Sequence, residues 1–118
     1  MEPPIIEPDP LHPIIERAWE YRITGLNFQI PLDESPPFLD LTLRKDQVVR
    51  QLRFFHPRDL SIEPGFPTPT HGMLISDVRA RQMEGIGVRV HDFEATTGSV
   101  CFWASDVVEL DGAPPENA

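Results

Sequence analysis

The sequence predicts a mainly β protein, an antiparallel sandwich or small barrel of about 6–8 strands. Three observations carry that expectation. From residue 36 onward apolar and polar residues alternate in a two-residue rhythm, turn-forming residues recur between the alternating runs, and no long helical period follows residue 20. At 118 residues the chain fits a single domain spanning 1–118, with room for one core. A Pro-rich arm at 1–13 and a flexible tail at 111–118 flank it.

The arm holds five prolines within residues 1–13, which suits an extended surface segment. Leu11, Ile14, Ile15, Ala18 and Trp19 then fall at helical spacing. Asp9 could cap such a helix, and Pro10 and Pro13 are tolerable in a first turn, so one short N-terminal helix is one reading. The other is a bent first strand starting near residue 19, because Trp19, Tyr21 and Ile23 alternate, and Leu26, Phe28 and Ile30 resume the alternation after Gly25.

"FLDLTLRKDQVVRQLRFF" reads as a hairpin. Leu39, Leu41 and Leu43 alternate on one parity, and Val48, Leu52 and Phe54 on the other. A two-residue turn at Lys45–Asp46 would set Leu43 beside Val48, Leu41 beside Arg50 and Leu39 beside Leu52, joining both sets on one face. Arg50 must then either pack its stem and send its head to water or pair with a carboxylate. Further strands are expected at "DLSIE", "GMLISDVR", "IGVRVHDFE", "SVCFWAS" and "DVVEL". Between the first two, "IEPGFPTPTHGM" reads as a stiff crossover from one sheet to the other, its prolines denying donors to any ladder.

A three-residue connection within "ATTG" pairs the last hairpin so that Val88, Val90, Val100, Phe102 and Ala104 share the apolar face. Arg89, His91, Phe93, Cys101 and Trp103 share the other. That face mixes aromatic, cationic and titratable groups, as contact surfaces do and as half-covered outer layers also do. With Arg79 and Arg81 in "DVRARQMEG" and His71 in the proline-laced stretch, it forms the candidate binding patch: Arg89, His91, Phe93, Trp103, Arg79, Arg81 and His71.

Catalytic signals are absent. The spacings of His12, His56, His71 and His91 match no zinc pattern, and there is no phosphate loop, nucleophile elbow or dinucleotide fingerprint. A scattered metal set of His71, His91 and Asp92 and a Cys101 nucleophile with His91 as base are the chemical alternatives. Against them, a lone cysteine is more often a small hydrophobe. The two glycines of "EGIGVRV" fit a bulge or a close backbone contact. No catalytic residue, metal or cofactor is therefore expected.

The net charge is −9, distributed as −6 over residues 1–43 (eight acids, two bases), +3 over 44–91 (five acids, eight bases) and −6 over 92–118 (six acids, no base). Acidic ends repel phosphate, which argues against nucleic acid; a cationic protein surface would be attracted, although the acids also simply aid solubility. One cysteine cannot form an internal disulfide, the N-terminus lacks a signal-peptide pattern, and no run approaches the roughly 18 apolar residues of a membrane span. A cytoplasmic protein with no membrane partner is expected, and free strand edges would allow a homodimer.

"LRFFHPRDLSIEP", "GMLISDVRARQMEGIGVRVHDFE" and "SVCFWASDVVEL" together resemble the small β-rich immunity-type proteins of bacterial polymorphic toxin systems in strand order and in the closing strand. Residues 1–37 lie outside the likeness, and no site residue is carried over from it. The resemblance implies a bacterial, non-catalytic, stoichiometric inhibitor whose acidic surface covers a basic toxin site. The competing readings are a small-ligand-binding sandwich or barrel, with Trp103, Phe93, Tyr21 and His91 lining the pocket, and an enzyme with no motif behind it.

Overall fold

The alternation at 38–54 folds as one hairpin, and the sheets are built around it. In the computed structural model, which describes residues 10–15, 17–66, 72–92 and 99–110, eight strands form two antiparallel four-stranded sheets. They are β1 (Arg22–Gln29), β2 (Phe38–Lys45), β3 (Val48–Phe55), β4 (Arg58–Ile62), β5 (Met73–Asp77), β6 (Val88–Asp92), β7 (Val100–Ala104) and β8 (Asp106–Glu109). Sheet 1 runs β1-β2-β3-β8 and sheet 2 runs β4-β7-β6-β5. The architecture is the sandwich, with no closed barrel.

The turn between β2 and β3 differs from the expected one. Lys45 pairs with Val48, Leu43 with Arg50, Leu41 with Leu52 and Leu39 with Phe54, so Asp46 and Gln47 make the turn. Asp46 takes a left-handed conformation (φ 53°), which Asp tolerates better than Lys does. The shift is two residues, and a two-residue shift preserves the faces. Leu39, Leu41, Leu43, Leu52 and Phe54 are all fully buried, whereas Val48, expected on the same face, lies beside the turn and is 50% exposed.

Val88, Val90, Val100, Phe102 and Ala104 line the facing side of sheet 2 and are also buried, as the hairpin parity required. Phe54 and Phe102 meet across the layers edge to face, with centroids 4.9 Å apart and planes at 90°. This geometry suits the ring quadrupoles and adds to the area buried.

The two sheets are joined by a bent ribbon. Phe55 pairs with Asp106 in sheet 1, Arg58 pairs with Trp103 in sheet 2, and the chain turns the corner between them at His56–Pro57 and, on the neighbouring strand, at Ser105. His56 supplies a positive φ (52°), and both the backbone N–H (2.8 Å) and the hydroxyl (3.1 Å) of Ser105 donate to the Phe55 carbonyl. Sheet-switching strands turn corners through such local irregularities. The crossing therefore lies here and not in the proline-laced stretch. That stretch joins β4 to β5, the two edges of sheet 2.

Residues 10–20 form no α-helix among the described residues; only a 3-10 turn at Ala18–Glu20 appears. Residues 10–12 instead lie along β5. The His12 N–H donates to the Ile75 carbonyl and the Asp77 N–H to the Pro10 carbonyl, both at 2.8 Å. Extended geometry at Pro10 serves that pairing, and Pro13 then sits in a turn closed by the Ile15 N–H donating to the His12 carbonyl (3.2 Å). Ile15 and Ala18 still reach the core. Asp9, Glu16 and the tail at 111–118 lie outside the described residues. The first strand begins at Arg22, and a register break between Ile23 and Gly25 accounts for its change of parity.

Arg50, on the inward parity of β3, takes the carboxylate alternative. Its Nε and Nη2 donate to Glu109 on β8 at 2.9 and 2.7 Å, and Nη2 also donates to the Ile14 carbonyl at 2.6 Å. Tyr21 lies beneath the guanidinium, 5.9 Å from it. The bidentate bond raises the Arg50 pKa well above its ordinary value and lowers that of Glu109. A charge on the inward parity is thus satisfied at the end of the core. On the outer side of sheet 1, the buried Asp40 is likewise held bidentately by Arg53 (2.8 and 2.9 Å), which lies 3.9 Å over the Phe38 ring.

Phe54→Ala should cost about 3–5 kcal/mol of unfolding free energy, read from the denaturant midpoint, because it removes an interlayer ring and leaves a cavity. Gly87→Ala is expected to destabilise by about 1–3 kcal/mol in the same measurement, since strain must be absorbed by backbone. A Cβ at Gly87 would lie 2.6 Å from the Ser105 carbonyl oxygen at the corner.

Candidate functional site

Because sheet 2 packs only its Val88–Val90–Phe102 face into the core, the opposite parity looks outward. One rung crosses the whole sheet there: Arg58 pairs with Trp103, Trp103 with Arg89, Arg89 with Ser76, and Ser76 bridges to Leu11 of the arm. The Arg89 guanidinium lies 4.7 Å from the Trp103 ring centroid, a cation–π distance. Both residues are half-buried, while Arg58 is exposed. The next positions outward add His91, opposite Leu74, and Cys101, opposite Ser61.

His91 reaches diagonally across the strands, its Nε2 2.9 Å from the Ser76 Oγ. A hydroxyl bonded to an imidazole is the core of a nucleophile–base pair. Ser76, however, is only 2% exposed, so a substrate has no approach to its Oγ. The pair holds β5 to β6 and fixes the ring of His91. Sequence reasoning passed over Ser76 because the ten-residue connection between β5 and β6 does not reveal their register; Ser76 could be placed only once Arg89 was known to lie opposite it.

Of the candidate patch, the structure brings together Arg89 and Trp103 and sets His91 on the same face. Arg79 and Arg81 sit instead on a 3-10 turn (Arg79–Arg81) after β5. There Asp77 accepts from the Arg79 backbone N–H (3.0 Å) and from its guanidinium (Nε 3.0 Å, Nη2 2.6 Å). The return leg of this connection passes close to Arg58: a Cβ on Gly85 would be 3.6 Å from its Nη2. The turn thus flanks the rung without lying on it. His71 and Phe93 fall outside the described residues.

Tyr21 is not part of this face. It packs against the core beside Arg50, so the four-residue pocket of the ligand reading is not assembled from Tyr21 and Trp103. Cys101 is a free, half-buried thiol. Among the described residues no three His, Cys, Asp or Glu side chains could jointly hold a metal, and no helix is long and apolar enough to cross a membrane.

The electrostatics of the described surface follow from where the bases are used. Among the described residues, Arg17, Lys45, Arg50, Arg53 and Arg79 are engaged by carboxylates of the same chain. Around the Trp103 rung, Asp59 and Glu63 on the β4 side and Glu84 on the β5–β6 connection are exposed. No family model, curated protein or solved structure matches the chain.

Acid stability should report the internal pairs. The bonds from Arg79 hold the Asp77 carboxyl down at about 2 from its ordinary 3.8, and Arg50 lowers Glu109 from 4.5. A carboxylate whose folded pKa lies below its unfolded one stabilises the fold above the unfolded value and loses that contribution as pH falls through the folded one. The melting temperature should therefore be flat near neutrality and fall below about pH 4.5 towards pH 2. Glu109→Gln should lower it at pH 7 and show a shallower acid decline, measured by thermal unfolding across pH.

Proposed function

We propose that the chain is a non-catalytic protein-interaction module whose acid-rich surface meets a cationic protein partner, with Trp103, Arg89 and His91 on the outer side of sheet 2 as the contact centre. The observation that carries the reading is the Arg58–Trp103–Arg89 rung, a pre-positioned aromatic ring between two arginines on the outward face of sheet 2. Trp and Arg dominate the energetics of protein interfaces, and a ring already held by a guanidinium loses little freedom on binding. The charge supports the partner's sign: Arg17, Lys45, Arg50, Arg53 and Arg79 are taken up internally, and exposed acids rim the rung. Such a rim steers a basic protein and raises its on-rate.

An immunity-type role would be one instance of this module, and the likeness of the segments between residues 52 and 110 to such proteins is what favours it. In that role the chain would block a basic toxin surface stoichiometrically in the bacterial cytoplasm. Non-catalytic action agrees with the burial of Ser76, whose hydroxyl is bonded to the partly exposed His91 and closed to a substrate.

The experiment is affinity capture from the source cell with the full chain at low and high salt, followed by identification of the bound protein and measurement of its affinity. A basic partner is expected. Its affinity should fall as ionic strength rises, because rim charges are screened within about 10 Å at 0.1 M salt, and should drop at least about tenfold for Trp103→Ala with the fold intact by thermal unfolding. Binding that ignores both salt and Trp103 would overturn the reading.

A further inference from the structure

Two sheets have four outer edges, and the chain protects three of them. The edge of β5 is covered by residues 10–12 through the His12–Ile75 and Pro10–Asp77 backbone bonds. The edge strand β4 is five residues long and broken in register between Arg58 and Ser61, with Asp59 at φ 55°. The edge strand β8 is four residues long. Shortness, irregularity and covering are the usual devices against edge pairing.

β1 has none of them along most of its length. It is eight residues long, contains neither proline nor lysine, and beyond its Ile23–Gly25 break pairs regularly with β2 from Gly25 to Gln29. Among the described residues nothing pairs with its outer edge. Apolar side chains continue past its end: Phe28 is 36% exposed, Ile30 72% and Leu32 fully exposed. Backbone groups that find partners at the other edges are here left to a second molecule or to water.

We propose that β1 is a self-association edge on which β1 of a second copy of this chain adds antiparallel across a two-fold axis, merging two four-stranded sheets into one of eight strands. The charges select both the occupant and the direction. Arg22 opens the strand, and Asp33 and Glu34 follow it. Antiparallel pairing centred on Asn27 sets Leu26 of one copy beside Phe28 of the other and runs each Arg22 past the neighbour's Gln29, towards the bend at 32–35 that carries Asp33 and Glu34. Parallel pairing would stack arginine on arginine and acid on acid. One strand thus carries both halves of a self-complementary patch, as an isologous interface requires. It also covers Ile30 and Leu32. The contact lies on sheet 1, away from the Trp103 face, so this dimer and the proposed partner site stand or fall separately.

The test is light scattering and sedimentation of the full chain over a concentration series. The expected species at high concentration has twice the 13.4 kDa mass of the chain. Arg22→Glu and Asp33→Arg, both at exposed positions, should each weaken dimerisation about tenfold. An equimolar mixture of the two single variants should recover wild-type affinity as a heterodimer, since each then offers the charge the other needs. The double variant should recover it as a homodimer. A chain that stays monomeric up to about 100 μM overturns the proposal, as does a dimer that is indifferent to both single variants or is not restored in the mixture. Unchanged thermal unfolding of the single variants separates loss of pairing from loss of fold.

Discussion

The contact between Phe54 and Phe102 is the hinge of the molecule's energetics. Each ring is the largest buried side chain of its own sheet, and their edge-to-face meeting sets how closely the layers approach. With the leucines of β2 and β3 on one side and the valines of β6 and β7 on the other, the interior is a single apolar cluster. Close packing of that kind transmits strain, so the inner parity of every strand is constrained by the opposite layer and the outer parity is not. The outward rung of Arg58, Trp103 and Arg89 owes its rigidity to residues that point the other way.

The bent ribbon explains why the sheets can face each other with such short connections. Paired strands leave sheet 1 at Phe55 and Asp106 and enter sheet 2 at Arg58 and Trp103, so one hydrogen-bonded ladder serves both layers. Backbone groups that a corner would expose are satisfied by Ser105 bonding Phe55 and by Gly87 bonding Ala104 at 2.9 Å. The corner also places Trp103 and Arg58 at the sheet boundary, next to the β5–β6 connection. The position of the Arg58–Trp103–Arg89 rung is therefore a consequence of how the layers are joined.

Much of this was legible from particular residues. Except for the exposed Val48, the buried sets of the two hairpins followed from alternation alone, and the hairpin at residue 46 kept its faces because moving its turn by one residue moves the register by two. Arg89 and Trp103 were readable as sharing a face because the connection between β6 and β7 is short, and the structure makes them direct neighbours. Two features were not readable. Pro10 and Pro13 fit a helix start and an extended segment ending in a turn equally well, and only the carbonyl of Ile75 and N–H of Asp77 on β5 decided for the latter. Likewise, "IEPGFPTPTHGM" carried the stronger turn signal, while the sheet switch fell at the much quieter His56–Pro57, whose role depends on Ser105 half a chain away.

By itself, the sequence determined which side chains face inward along each strand, because pleating alternates residues locally and any even change of register leaves the faces intact. It also determined that acids would outnumber bases on the surface. Only the tertiary structure decided which strands are neighbours, where the ribbon bends, that Arg50 finds Glu109, and that β1 is left as the long uncovered edge. Those outcomes depend on hydrogen-bonding partners distant in sequence, and a local residue pattern holds no information about which distant backbone groups will remain unpaired until the layers close.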